Sequence, residues 1–422
     1  MIVIVGAGPT GAVMALLLVQ RGIQVKLIEA SRDFKRLFRG EGLMPSGLDA
    51  LEQIGLFELL ADLPHQTIDR WDFLLSGKRL FCVDEPIEPD GRHCTTVSQP
   101  HLLSAIIEQA QTYPGFEFIQ GEAVRDLLKD GDKPNGQGDS PDRRPTTTCP
   151  DRGCASLRVN GVRLASDREI NADLVIASDG RNSVIRKQTG LDLKKLQNNI
   201  DILWFKLDSG ELAKSKNTFY SILQERDSFG LFRASSGQLH IGWGLHADDN
   251  YDVKDVDWAD KLAATSPPWL AEHILAHRNS LTKPMLLSVV VGRCDRWWMP
   301  GLLLLGDAVH PMSPIRAQGI NMAFRDAIVA ANHLVPVLNS DVSGDRIDAV
   351  LASIQREREP EIIRIQKLQA QEMAQAELLH GSAFVRWGAR TFTPIIRPAI
   401  RAGWLRRQKQ LRQGVTKVRL TV

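Results

Sequence analysis

Glycines, prolines and acids stand at three places in this chain where a strand-like run gives way to a helix-like one. That spacing suits a phosphate-bearing ligand. The first place is Gly6-Ala7-Gly8-Pro9-Thr10-Gly11, directly after the β-branched run 1–5 and before the apolar run 12–20. A second strand-like run, 24–28, ends at Glu29. In that order Gly6 permits a tight turn and Gly8 lets a pyrophosphate reach the backbone. Gly11 lets helix and strand pack closely, and Glu29 is placed to accept hydrogen bonds from a ribose. The full succession of strand, glycines, helix, strand and acid predicts an adenine dinucleotide site, which the glycines alone would not.

The second place is 302–327, LLLLGDAVHPMSPIRAQGINMAFRDA. Four leucines predict a buried strand. Gly306-Asp307 ends it, a loop broken by Pro311 and Pro314 follows, and Gly319 opens a helix-period run through Ile320, Met322, Ala323 and Ala327. Backbone N–H groups and a helix N-terminus just past a strand end suit an anionic or electron-accepting group. The same layout also serves plain strand–loop–helix packing. The third place is 171–190, where a buried run 174–177 meets Asp179-Gly180, with Arg181, Ser183 and Arg186 following on a short helix. Its acid and arginines fit a ribose and a pyrophosphate, or an ordinary turn with solvated arginines. Two single residues have similar double readings. Arg39, before Gly40-Glu41-Gly42, is a solvated loop charge or a cation for the pyrophosphate. Gln99 starts the helix 101–111, capped by Ser98, and is a cofactor contact or a plain end residue.

The runs that must position these residues alternate in character. Residues 68–97 predict a hairpin about Ser76-Gly77, and 156–170 predict another. Runs 203–205, 219–223, 229–232, 238–245 and 285–291 predict strands, and 258–277 a helix, giving a β-rich unit inserted into the nucleotide unit. Trp204, His240, Trp243 and His246 are candidates for its pocket wall, against the commoner reading of aromatics as core. Neither histidine has a carboxylate at metal-site spacing, so no metal is expected. Residues 131–153, dense in Gly, Pro, Asp and Arg, predict a surface loop without chemistry.

A chain of 422 residues with 43% hydrophobic and 24% charged residues has the balance of a globular protein of two or three subdomains. A net charge of +2 gives no reason to expect nucleic acid. The five cysteines form no framework, which predicts a reduced, cytoplasmic setting. The first motif begins at Gly6, leaving no room for a signal peptide, and no apolar run nears the roughly 20 residues that span a bilayer. After Glu377 there is no acid, while arginines and lysines interleave with Phe384, Trp387, Phe392 and Trp404. Such a stretch fits packing on the rest of the protein, a dimer contact, or peripheral contact with an anionic membrane.

Taken together, GAGPTG, SDGR and GDAVHPMSPIRAQGIN resemble the motifs of the single-component, FAD-dependent aromatic hydroxylases, the para-hydroxybenzoate hydroxylase-like family, over residues 1–334. The resemblance implies an α/β fold with a Rossmann-like FAD-binding domain (1–67, 94–200 and 292–335) and an inserted β-sheet substrate domain (68–93 and 201–291), while the residues beyond it predict by their own composition a helical basic C-terminal segment (336–422). It places Gly6, Gly8, Pro9, Thr10 and Gly11 at the FAD pyrophosphate, Glu29 at the adenosine ribose, Arg39, Gln99 and Val124 beside the cofactor, and Asp179-Gly180 at FAD and NADPH. Asp307 would meet the ribityl or pyrophosphate region, Pro314 would border the flavin, and backbone N–H groups of Gly319, Ile320 and Asn321 would face its pyrimidine edge. The family reduces its flavin with NADPH or NADH and passes one oxygen of O₂ to a substrate through a flavin hydroperoxide. That implies hydroxylation or epoxidation of an aromatic, polyketide-like or isoprenoid-quinone-like small molecule by a monomer or homodimer. A reductase of a lipophilic substrate and a flavin-binding regulatory protein are the alternatives. Two departures stand out: Ile315-Arg316-Ala317 occupies a stretch where most relatives carry glycines, and the family's phenol-ionising tyrosine network cannot be assigned to Tyr113, Tyr220 or Tyr251.

Overall fold

The computed structural model describes residues 1–34, 40–88, 91–130, 158–196, 200–246, 253–340 and 344–422. Arg39 and the loop at 131–153 therefore lie outside the described residues. Among the described residues, one sheet of six strands runs Trp298–Met299, Leu302–Leu304, Leu174–Ala177, Ile2–Val5, Val25–Glu29, Phe116–Gln120. All neighbours are parallel except the first pair. Ile2–Val5 and Leu174–Ala177 are buried at every position, which is why their sequences are unbroken apolar runs and not alternating ones. The register Ile2 to Leu174 and Val25, and Val175 to Leu302, brings three strand ends level. Those ends carry Gly6, Asp179 and Gly306-Asp307.

Helix Pro9–Val19 is apolar nearly all round and buried from Thr10 to Val19, because helices Gln99–Gln111 and Gln318–Leu338 pack against it. Ser98 does hold the N-cap position of Gln99–Gln111, but its hydroxyl lies 2.6 Å from His101 Nδ1 and caps no backbone N–H.

A second sheet, of seven strands, has the order Met285–Leu287, Ile200–Leu207, Leu239–His246, Asp227–Arg233, Thr218–Gln224, Arg70–Leu75, Lys78–Asp84. Along Leu239–His246 the two-residue period sends Ile241 and Trp243 into a core with helices Trp258–Thr265 and Pro268–Ala276. His240, Gly242 and Gly244 line the opposite face. The single helix expected over 258–277 is two, since Pro267 is extended (φ −64, ψ 155) and serves as the N-cap of the second. Of the strand expected over 285–291, only Met285–Leu287 pairs, with Ile200–Leu207.

The C-terminal part forms helices Gly344–Gly381 and Ala383–Gln413. Trp404 packs among Trp71, Phe73 and Phe81 of the second sheet, and Arg412 is fully buried against Glu85 and Glu88. Much of the basic stretch is thus packed on the rest of the protein.

Candidate active site

The turn after Ile2–Val5 is built from glycines with different duties. Gly6 has φ +94, and a Cβ on it would sit 2.6 Å from Ser178 O. A Cβ on Gly11 would sit 2.0 Å from Gly6 O, so helix and turn close only over a bare α-carbon. A Cβ on Gly8 would meet nothing within 4 Å. The chain leaves space there and fills none of it. Glu29 is buried; Oε2 accepts from Ala7 N–H (2.9 Å) and Oε1 from Ser31 N–H (2.8 Å), which fixes the carboxylate beside the turn.

At the third motif, Oδ2 of Asp179 accepts from the N–H groups of Val184 (2.8 Å) and Ile185 (3.2 Å). Its Oδ1 is buried and has no hydrogen-bond partner among the described residues. A buried lone acceptor is costly unless a ligand hydroxyl completes it. Arg186 is buried and donates to the carbonyls of Ala308 and Arg181, the latter at 2.9 Å. It braces the Asp179 turn against the Asp307 turn, and is neither solvated nor directed at a pyrophosphate. Gly306 (φ +60) lies over Thr10, where a Cβ would come within 2.2 Å of Oγ1. The open Gly8 cradle, the orphaned Asp179 oxygen and the level strand ends fit a dinucleotide.

These groups open into one cavity of about 1510 Å³ that continues between the two sheets. Gly6, Gly8, Pro9, Thr10, Glu29, Gln99, Val124, Asp179, Gly180, Asp307, Pro314, Gly319 and Ile320 all line it, as do Trp204 and His240. Trp243 does not: it is fully buried on the far face, stacked with Phe229 and edge-on to Trp258. Its expected substrate contact is corrected by strand parity, since it is one residue out of phase with Gly242 and Gly244. Gly11 and Asn321 lie behind the wall. Asn321 Oδ1 accepts from Met44 N–H (2.9 Å), and its Nδ2 donates to Ala317 O (2.6 Å) and Gly42 O (3.2 Å). That side chain ties the helix start to the strand Gly42–Leu43.

The far part of the cavity is walled by Trp71, Phe73, Phe81, Phe219, Ile222 and Trp404. Burial, and then Lys206, lower His240 to about 4, so it is neutral near pH 7. Burial raises the Glu41 carboxyl, against hydrogen bonds from Ser235 N–H (3.1 Å) and Oγ (2.8 Å). Glu41, Glu372, Trp404 and Arg407 were not legible as site residues. Three of them come from the C-terminal helices, and only a chain-length contact brings them to the cavity. Among the described residues no group of three His, Cys, Asp or Glu is placed to hold a metal.

Residues 1–366 match the family described as FAD binding domain. The chain is 29% identical over 379 residues, 88% of its own length and 83% of the relative's, to 6-methylpretetramide 4-monooxygenase of Streptomyces rimosus. It is 25% identical over 355 residues, 79% of this chain and 74% of the relative, to kynurenine 3-monooxygenase of Caenorhabditis briggsae. Among solved structures, P. aeruginosa PqsL in complex with 2-aminobenzoylacetate superposes with a TM-score of 0.74 at 19% identity, covering 90% of this chain and 96% of that one. The p-nitrophenol 4-monooxygenase PnpA of Pseudomonas putida gives 0.68 at 16%, covering 99% and 98%. At those identities the likeness shows the fold.

Proposed function

The chain belongs to the FAD-binding-domain family of FAD-dependent aromatic hydroxylases, and from that premise we propose that it uses NADPH or NADH and O₂ to hydroxylate or epoxidise a flat aromatic or polyketide-like molecule. The observation that carries this reading is the single cavity joining an open dinucleotide cradle to an aromatic chamber. Relatives named for a pretetramide and for kynurenine point the same way.

In this reading residues 1–67, 94–200 and 292–335 hold FAD, and 68–93 and 201–291 supply the substrate wall. Gly8 and the backbone around it take the pyrophosphate, Glu29 takes the adenosine ribose, and Asp179 Oδ1 accepts a cofactor hydroxyl. Asp307 and the N–H groups at the start of Gln318–Leu338 would hold the flavin end of FAD, where a positive helix end would favour negative charge on it. Bound FAD supplies hydride acceptance and O₂ activation. The protein's share is to orient the substrate against it and keep water out, which the apolar aromatic wall serves. Arg390 and Arg401, on the same helix as the exposed Phe384 and Ile395, further suit peripheral contact with an anionic membrane.

Purified protein should show a flavin spectrum that is bleached anaerobically by NADPH or NADH and restored by air. Turnover with an accepted substrate in labelled O₂ should place one labelled oxygen in the product. Flavin that neither nucleotide reduces, with aromatic substrates present, would move the assignment to the reductase alternative.

A further inference from the structure

Arg316 and Ala317 adopt left-handed backbone conformations in succession (φ 59 and 50) just before helix Gln318–Leu338. Two such non-glycine residues persist only where their surroundings over-determine them, which is a property of functional sites. The surroundings are explicit. The Arg316 guanidinium lies 5.1 Å from the Trp71 ring centroid, 5.4 Å from Trp404 and 5.6 Å from Phe73. It donates to Glu372 Oε2 from Nη2 (2.8 Å) and Nε (3.2 Å). Glu372 Oε1 accepts from Arg407 Nε (2.7 Å), and Arg407 Nη2 donates to Gln375 (2.9 Å). The side chains of Arg316 and Glu372 are 8% and 9% exposed.

All three charged residues line the cavity. Burial would raise the Glu372 carboxyl, but Arg316 and Arg407 hold it below the ordinary range, so it is ionised. The cluster thus holds two positive charges against one negative, inside an aromatic wall where an unmatched charge is costly. Ring faces offset part of that cost. Arg316 Nη1 has no hydrogen-bond partner among the described residues, so a donor remains for a ligand.

We propose that Arg316, with Arg407 and Glu372, is the recognition site for one negative charge on a flat aromatic substrate, a carboxylate or an acidic enol, whose ring lies in the aromatic chamber. This rests on reading the cavity as the substrate chamber of a flavoprotein.

The test uses the FAD-loaded full chain and two probes of matched shape, 1-naphthoate and neutral 1-naphthamide. Binding is followed by flavin absorbance and by calorimetry at pH 7.5. Naphthoate should bind about tenfold more tightly, the scale of one charge-assisted hydrogen bond. Arg316→Gln should bring the preference to about one, and Glu372→Gln, which adds a positive charge to the cluster, should raise it at least about threefold. Loss of fold cannot produce that opposite sign, and the FAD content of each variant reports its integrity. Equal binding of the two probes, binding of neither, or a preference unchanged in both variants while FAD is retained overturns this site alone. Protein that takes up no FAD overturns the cavity reading itself, and this site with it.

Discussion

Gly8 and Gly11 belong to one motif, yet a methyl group would act on them in opposite ways. Gly8→Ala adds a Cβ into space the protein leaves open, so apoprotein Tm should stay within about 1 °C while FAD content falls sharply. Gly11→Ala drives a Cβ into Gly6 O and Ser178 Oγ and should destabilise the fold whether or not FAD is present. Thermal melts with and without FAD separate the two, and a Gly8→Ala protein with full flavin content would remove the cradle assignment. The tryptophans make a second pair. Trp243→Ala empties a fully buried site and should cost about 3–5 kcal/mol in urea unfolding. Trp204, whose ring lies 3.0 Å from the position of a Cβ on Gly242, lines the cavity, so Trp204→Ala should change ligand-induced flavin spectra more than stability. The glycines were legible in the sequence because a tight turn is a local demand. The side taken by Trp243 was not, since the phase of strand alternation is set by partners far away in the chain.

Between elements, the decisive contacts are charges that periodicity cannot pair. Helix Gln318–Leu338 presents Arg325 and Asp326 to Arg358 and Glu361 of helix Gly344–Gly381, all of them buried. Arg358 Nε donates to Asp326 Oδ1 (2.7 Å), and Arg325 donates to both oxygens of Glu361 (2.8 and 3.0 Å). His310, in the Asp307 loop, reaches Asp326 Oδ2 at 2.8 Å, and Val415 N–H reaches Glu361 Oε1 at 2.7 Å. One network therefore fixes the Asp307 loop, two helices and the C-terminal tail. Burial opposes ionisation of Glu361, but Arg358 and Arg325 lower its carboxyl to about 2 from an ordinary 4.5. The sign follows: a depressed folded-state pKa gives stability that is complete above pH 4.5 and is lost as pH falls toward 2. Glu361→Gln should flatten that part of the acid-unfolding curve and, by leaving two buried guanidinium groups short of a partner, cost about 3–5 kcal/mol at pH 7. An unchanged acid transition in chemical-denaturation data at several pH values would show that other carboxylates carry it. Helix Gln318–Leu338 followed from the apolar spacing after Gly319; the alignment of the two helices on these charges did not.

At the scale of the whole molecule, the cavity exists because three distant parts of the chain close on it, and the last of them divides its basic residues between two surroundings. Arg412 is held by Glu85 and Glu88 and Arg407 by Glu372, with Trp404 anchored among aromatic side chains of the second sheet. Earlier in the same segment Phe384 is 77%, Trp387 57% and Ile395 78% exposed. Phe384, Trp387 and Phe392 form a chain of ring contacts at 5.8 and 6.3 Å. Residues beyond Glu377 include no acid to offset the neighbouring Arg386, Arg390, Arg397 and Arg401. A second copy meeting this face about a two-fold axis would set arginines against arginines, whereas an anionic bilayer takes the rings into its interface and gains about 1 kcal/mol per basic residue near its surface. No helix of the described residues is long and apolar enough to cross a membrane. The FAD-loaded chain should float with phosphatidylglycerol vesicles and not with phosphatidylcholine, and lose binding between about 50 and 300 mM salt as the Debye length shortens. The pair Phe384→Ser and Trp387→Ser, exposed in the free protein, should reduce flotation several-fold with Tm and flavin unchanged. If neither vesicle is bound and light scattering finds a dimer that the two serines dissolve, the aromatic face belongs to subunit contact, and the arginines must then be staggered across it.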